Sequence, residues 1–172
     1  MKVYLIGGNG FVGSAYARLF EANGVDYTIV RRDDYEALSG THADVVLNAN
    51  GNSKKFLSDR DPMFDFDASV RSVMTSLTNF TCNTYVLLSS GDVYPDQSSA
   101  EVTSEDQVIR PEDQSKYGLH KMMAENLVRR HHDNWLIMRM GGFVGPNLKK
   151  NAIYDMLHDA PVWLTPESEL QF

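Results

Sequence analysis

The chain has 172 residues, 42% of them apolar and 23% charged, which is enough for one soluble domain with its own core. A formal net charge of −7 argues against a general nucleic-acid or anionic-membrane surface, since both attract basic patches. No apolar run approaches the roughly 20 residues of a membrane span; the start enters a strand pattern directly, with no signal peptide expected, and the single Cys82 excludes an internal disulfide and fits a reducing, cytoplasmic setting.

In chain order, strand-like and helix-like segments alternate. Residues 2–7 form a short apolar, β-branched run ending in glycines. Residues 11–23 have helical spacing and stop at Asn23-Gly24, a helix C-terminal signal. Strands follow at 27–30 and 44–49. Residues 62–80 predict a long helix with Asp61 as N-cap and Pro62 at its first position. A strand at 85–88 precedes a long polar loop over 92–113, of the kind that often carries function. A helix at 115–131, a strand at 135–139, a short helix at 152–158 and a last strand at Val162-Trp163-Leu164 complete the series. Continuous apolar strands alternating with helices predict an α/β fold: a doubly wound, Rossmann-type parallel sheet with helices on both faces, as a single domain over 1–172.

The glycine run Gly7-Gly8-Asn9-Gly10-Phe11-Val12-Gly13 lies between the first strand and the first helix. That context is what a dinucleotide-binding turn requires. Gly7, Gly10 and Gly13 allow a tight turn and close approach of backbone to phosphate. Phe11, Val12 and Gly13 open the helix whose N-terminus attracts the pyrophosphate. At the end of the second strand an acidic residue holds a ribose 2′-hydroxyl, whereas arginine accommodates a 2′-phosphate. Arg31 and Arg32 come first there, which favours NADP. With both arginines turned to solvent, Asp33 would bind the ribose of NAD instead.

Ser89-Ser90 ends the fourth strand, where ligands of parallel sheets gather. Tyr117 and Lys121, four apart, share one helix face. A phenol titrates near pH 10, and a neighbouring ammonium and a cationic nicotinamide both favour the phenolate. Such a tyrosine exchanges protons near neutrality, and Ser90 can hydrogen-bond the same substrate oxygen.

At these residues the chain resembles the extended short-chain dehydrogenase/reductase family, the NAD-dependent epimerase/dehydratase group, over nearly its whole length. The family's glycine turn falls on 7–13, its catalytic serine on Ser90 ahead of Val93-Tyr94, its Tyr-x-x-x-Lys on Tyr117 and Lys121, and its Arg-Pro-x-x-x-x-Gly-Pro segment on 139–146. The resemblance implies hydride transfer to or from a nicotinamide, with Tyr117 as acid/base, Lys121 orienting the nicotinamide ribose and Ser90 positioning the reacting oxygen. It also places Asn48 and Ala49 beside the cofactor. The implied substrate is a small molecule, a sugar nucleotide or related carbonyl or hydroxyl compound, and the implied assembly a homodimer through helices 62–80 and 115–131. Val70, Met74, Leu77, Met122 and Met123 serve that face or the sheet. A non-catalytic NAD(P)-binding module, sensing redox state or scaffolding a partner, is the alternative.

The chain also departs from that pattern. The stretch 31–44 is too short for the usual helix, third strand and return. Asn48-Ala49-Asn50-Gly51 stands where His-Leu-Ala-Ala is frequent, and Asn48 is similar to the deoxysugar-nucleotide ketoreductase branch. Ser69 replaces the usual asparagine of the central helix, Met140 the proline after Arg139, and Gly142 a diphosphate-holding asparagine. Asp92 falls near the acidic catalytic position of the dehydratases, where a capping role is expected, and His120 is expected at the surface or an interface. The substrate lobe is largely absent, so the chain is either truncated or a minimal member, and the substrate cannot be named from it. No His, Cys or carboxylate cluster has metal-ligand spacing.

Overall fold

The computed structural model describes residues 1–149, 151–162, 164, 165 and 167. The chain divides into two units, Met1–Met140 and Gly141–Phe172. The first holds a five-stranded, wholly parallel sheet of β1 (Lys2–Ile6), β2 (Asp26–Val30), β3 (His42–Asn48), β4 (Thr81–Ser90) and β5 (Trp135–Met140), in the order β2-β1-β3-β4-β5. Strands β3 and β4 are longer than the apolar runs that announce them. Backbone pairing extends into polar flanks: His42 pairs with Thr81, and Ser90 with Met140.

The side-chain period of two sorts β1 between two cores. Val3 and Leu5 point to one face, where Leu47 and Leu88 meet Val12, Tyr16 and Phe20 of helix α1 (Phe11–Ala22). Tyr4 and Ile6 point to the other, where Val46, Tyr85 and Leu87 meet a helical layer that includes Val73, Ala124 and Val128. Helices therefore cover both faces, as the sequence predicts. Each buried aliphatic or aromatic side chain contributes about 1.5–3 kcal/mol.

Between β2 and β3 there is room only for a turn and the four-residue α2 (Tyr35–Leu38), so β3 pairs directly with β1 and β2 is left at the sheet edge. After β3 come α3 (Leu57–Arg60) and α4 (Pro62–Phe66). A wide π turn over Asp67–Arg71 then carries α4 into α5 (Ser72–Asn79). The Asp61 side chain accepts from Phe64 N at 3.0 Å, and Pro62 opens the helix, the start read from the sequence. The expected long helix is thus present, with one wide turn in its middle; such turns frequently mark functional sites. Helix α6 (Lys116–His131) begins at Ser115, whose hydroxyl accepts from Gly118 N at 3.0 Å.

In the second unit α7 (Ala152–Leu157) starts at Asn151, whose side chain accepts from Tyr154 N at 2.9 Å and donates to Phe143 O at 3.1 Å. Of the expected last strand, Val162 and Leu164 have no strand conformation, and Trp163 lies outside the described residues. Among the described residues no helix is long and apolar enough to cross a membrane.

Candidate functional site

The glycine turn is built by exclusion of side chains. Gly7 adopts φ +77°, and a methyl there would lie 2.8 Å from Asn50 N and 2.9 Å from Ala49 O. A methyl on Gly13 would sit 2.2 Å from Gly7 O, so helix α1 can pack on this turn only without one. Gly10 N donates to Gly7 O at 2.9 Å, and Gly10 caps α1 without a side-chain cap bond. Asn9 and Gly10 are exposed. No capping side chain therefore lies over the start of α1, whose positive dipole end suits a pyrophosphate.

At the end of β2, Arg31 and Arg32 are exposed, and neither forms an ion pair among the described residues. Asp34 turns its carboxylate back to accept from Arg31 N at 2.8 Å, while Asp33 stays exposed. Asn48 is wholly buried: its Nδ2 donates to the Tyr85 hydroxyl at 2.9 Å, and its Oδ1 accepts from Asn50 N at 2.9 Å. Its side chain thus ties β3 to β4 and shapes the turn that follows. Ala49, whose N donates to Ile6 O at 2.9 Å, brings its own carbonyl against Gly7.

The segment after β3 runs from the glycine turn to the tyrosine and lysine. Ala49 and Asn50 pack on Gly7. A methyl on Gly51 would lie 2.7 Å from Lys121 Nζ, and the Tyr117 hydroxyl donates to Asn52 O at 3.1 Å. Tyr117 and Lys121 share the buried face of α6, with Lys121 Nζ 5.6 Å from the tyrosine ring centroid. A methyl on Gly118 would lie 2.3 Å from Asp92 O, so the loop after β4 closes directly on this turn of α6. Ser90, at the end of β4, donates its hydroxyl to Asp92 Oδ2 at 3.3 Å and accepts from Asp92 N at 3.2 Å. Lys55 is ion-paired with Asp92 from the opposite side. The cap of this turn is therefore Ser90 rather than Asp92, whose carboxylate instead accepts from Ser90 and pairs with a lysine.

The electrostatics depart from the sequence expectation. The chain's own groups push the Tyr117 phenol up to about 12. Burial is the first cause, and the Asp92 and Asp65 carboxylates add to it, with the Ser90 hydroxyl acting the other way. The Lys121 ammonium lies over the tyrosine ring. Burial holds it below the usual lysine range, against the pull of Asp65, Asp92 and Glu125.

Several site members escape the sequence reading. His120 is not at the surface: its side chain is 12% exposed, and its Nδ1 donates to the fully buried Asp65 at 2.6 Å. Glu125 is also fully buried; it accepts from Ser89 Oγ (2.6 Å), twice from Arg139 (3.1 and 2.8 Å) and from Arg129 (3.1 Å). Arg139 further donates to the Tyr94 hydroxyl at 2.7 Å. The signal available for both carboxylates was position: Asp65 and Ser69 are four apart within a helix, as are Lys121 and Glu125, on faces that also carry apolar residues.

The model of the NAD dependent epimerase/dehydratase family matches residues 3–160. Among solved structures the chain is similar to a UDP-galactose 4-epimerase, with 26% identity and a TM-score of 0.73 over 92% of this chain and 62% of that one. It is also similar to the UDP-glucuronic acid 4-epimerase of Bacillus cereus in complex with UDP-glucuronic acid and NAD, with 20% identity and a TM-score of 0.69 over 94% and 65% of the two chains. A dTDP-4-dehydrorhamnose reductase of Clostridium acetobutylicum gives 16% identity and a TM-score of 0.74 over 92% and 59%. The last two likenesses concern the fold. The chain spans less than two thirds of the length of each of these proteins. No curated protein matches it.

Proposed function

The chain belongs to the NAD-dependent epimerase/dehydratase family, and on that premise we propose that it is an oxidoreductase or epimerase acting on a sugar nucleotide or a related carbonyl or hydroxyl compound. The observation that carries the reading is the 49–52 segment, which touches Gly7 at one end and Lys121 and Tyr117 at the other. A dinucleotide held at the glycine turn would extend toward the tyrosine along it.

In this reading Gly7, Gly10, Phe11, Val12 and Gly13 hold the pyrophosphate, with main-chain groups of Asn48 and Ala49 alongside. When bound, the nicotinamide supplies the hydride acceptor or donor. Arg31 and Arg32 take the 2′-phosphate, which makes NADP the favoured cofactor, with NAD the alternative through Asp33. Lys121 orients the nicotinamide ribose and holds positive charge near the phenol. Tyr117 gives a proton to the substrate carbonyl oxygen or takes one from its hydroxyl, and Ser90 hydrogen-bonds that oxygen. The high pKa of the phenol suits the proton-donating direction; the proton-accepting direction requires added positive charge beside it. The named substrates of the epimerase neighbours, UDP-galactose and UDP-glucuronic acid, favour a nucleotide sugar.

The reading includes a homodimer through α4–α5 and α6. Met63 and Phe64 expose apolar surface on α4, whereas Val70 and Met122 are buried within the protomer, and Met74, Leu77 and Met123 are half-buried. Sedimentation showing only monomer at high concentration rejects that association. The function itself is tested by incubating the purified chain with oxidised cofactor and a panel of UDP- and dTDP-sugars, following reduced nicotinamide and epimeric products. Turnover of a nucleotide sugar is the expected result; a chain that binds dinucleotide and transforms none of them contradicts the catalytic reading.

A further inference from the structure

Asp65 is a fully buried carboxylate to which the proposed chemistry assigns no role. Its Oδ1 accepts from Asn52 Nδ2 at 2.8 Å and from Ser69 Oγ at 3.5 Å, and its Oδ2 accepts from His120 Nδ1 at 2.6 Å. A buried carboxylate is tolerated only when its lone pairs are filled in this way. The His120 ring is held in turn, edge-on to Phe66 at 5.6 Å between centroids.

Asn52 is the residue this cluster fixes. Its Nδ2 also donates to Lys54 O at 3.0 Å, its Oδ1 accepts from Lys54 N at 2.7 Å, and its main-chain N donates to Ser69 Oγ at 3.5 Å. Its remaining polar group, the main-chain oxygen, receives the Tyr117 hydroxyl. Every hydrogen-bonding group of Asn52 is therefore engaged, and Asp65 and Ser69 tie it to the wide turn of the α4–α5 helix. The carbonyl cannot swing away from Tyr117 unless these bonds break.

Building on the reading of Tyr117 as acid/base, we propose that Asp65 and His120 are positioning residues: Asp65, clamped by His120, holds Asn52 so that its carbonyl fixes the resting phenol in place and keeps it protonated until a substrate oxygen takes over the hydrogen bond. The hydrogen bond and the buried negative charge act in the same direction, because both favour the neutral phenol. The charged groups facing this phenol come from three elements: Asp65 from α4, Asp92 from the turn after β4, and Lys121 from α6. Lys55 is paired with Asp92, and His120 with Asp65.

The test reads the ionisation of Tyr117 without a substrate. The full chain is labelled with difluorotyrosine, which titrates at lower pH than tyrosine, so that the protein stays folded; the Tyr117 fluorine signal is assigned by its loss in Tyr117→Phe. In Asp65→Asn, which keeps an acceptor for Asn52 but removes the charge, the Tyr117 midpoint should fall by about half a pH unit. In Asp65→Ala, which removes both, it should fall further. His120→Ala, which takes the donor from Asp65, should shift the midpoint and His120→Asn, which retains one, should restore it; a wild-type midpoint in His120→Ala overturns the role of His120. An unchanged or raised midpoint in Asp65→Asn overturns the proposal, and that isosteric variant keeps the test decisive if Asp65→Ala does not fold. Failure of the parent reading would show separately, as turnover that survives Tyr117→Phe.

Discussion

The main-chain oxygen of Asn52 accepts the Tyr117 hydroxyl at 3.1 Å, sixty-five residues apart in the chain. This bond joins the turn after β3 to the first turn of α6. Because the same short segment packs on Gly7, the glycine turn and the tyrosine are two ends of one structural unit. Changes at either end are expected to be felt at the other.

Gly13→Ala places a methyl 2.2 Å from Gly7 O, where neither backbone segment can give way cheaply. The variant should lose about 1–3 kcal/mol of stability in urea unfolding, the usual cost of overpacking. Its dinucleotide Kd by calorimetry should rise at least about tenfold, since the helix start is displaced from the turn. Gly24→Ala, with φ +63° but open space around it, should lose stability without loss of cofactor affinity.

In the proposed reading Arg31 and Arg32, both exposed at the end of β2, set the cofactor preference. Calorimetric titration should show tighter binding of NADP than of NAD. Replacing both arginines by alanine should weaken NADP binding about tenfold or more, the loss expected for charge-assisted contacts to a phosphate, and leave NAD unaffected. A wild-type preference for NAD would assign the ribose to Asp33.

Glu125 is the hub that ties α6 to β4 through Ser89 and to β5 through Arg139, with Arg129 of the same helix as a further partner. Glu125→Gln leaves two guanidinium groups short of a charged partner. The expected loss is about 3 kcal/mol, at the lower end for a broken buried pair because both arginines retain access to water. Denaturant midpoints with an unchanged slope check this.

The Tyr117 phenol also makes stability depend on alkaline pH. Its folded-state pKa of about 12 lies above the ordinary 10.0, so its contribution is complete below about pH 10 and is lost as the pH climbs to about 12. Lys121, held low by burial, acts in the opposite sense as pH rises toward 10.5. The wild-type minus Tyr117→Phe difference in unfolding free energy isolates the tyrosine. It should shrink by about 2–3 kcal/mol across that window.

The elements that were legible in the sequence are those with a local cause. The glycine turn, the Asp61-Pro62 helix start and the alternating strands and helices are all set by neighbours in the chain, and the described residues carry them. The short 31–44 connection was legible for the same reason, because chain length alone forbids another strand and β3 pairs directly with β1. Asp65, His120 and Glu125 could not be read that way. Their partners lie on other elements, so a buried carboxylate looks in sequence like a solvated one. The upward pull of the chain's own groups on Tyr117 was hidden for a related reason: Lys121 is visible four residues away, whereas Asp92 and Asp65 reach the phenol only through the fold.

The most direct test of the account is the rate of cofactor reduction or sugar epimerisation by Tyr117→Phe, measured beside the wild-type chain at saturating dinucleotide with the nucleotide sugar that the wild type turns over. The account predicts a fall of about a hundredfold or more with dinucleotide affinity retained, the loss expected when a positioned proton donor is removed. A rate equal to that of the wild type would contradict it.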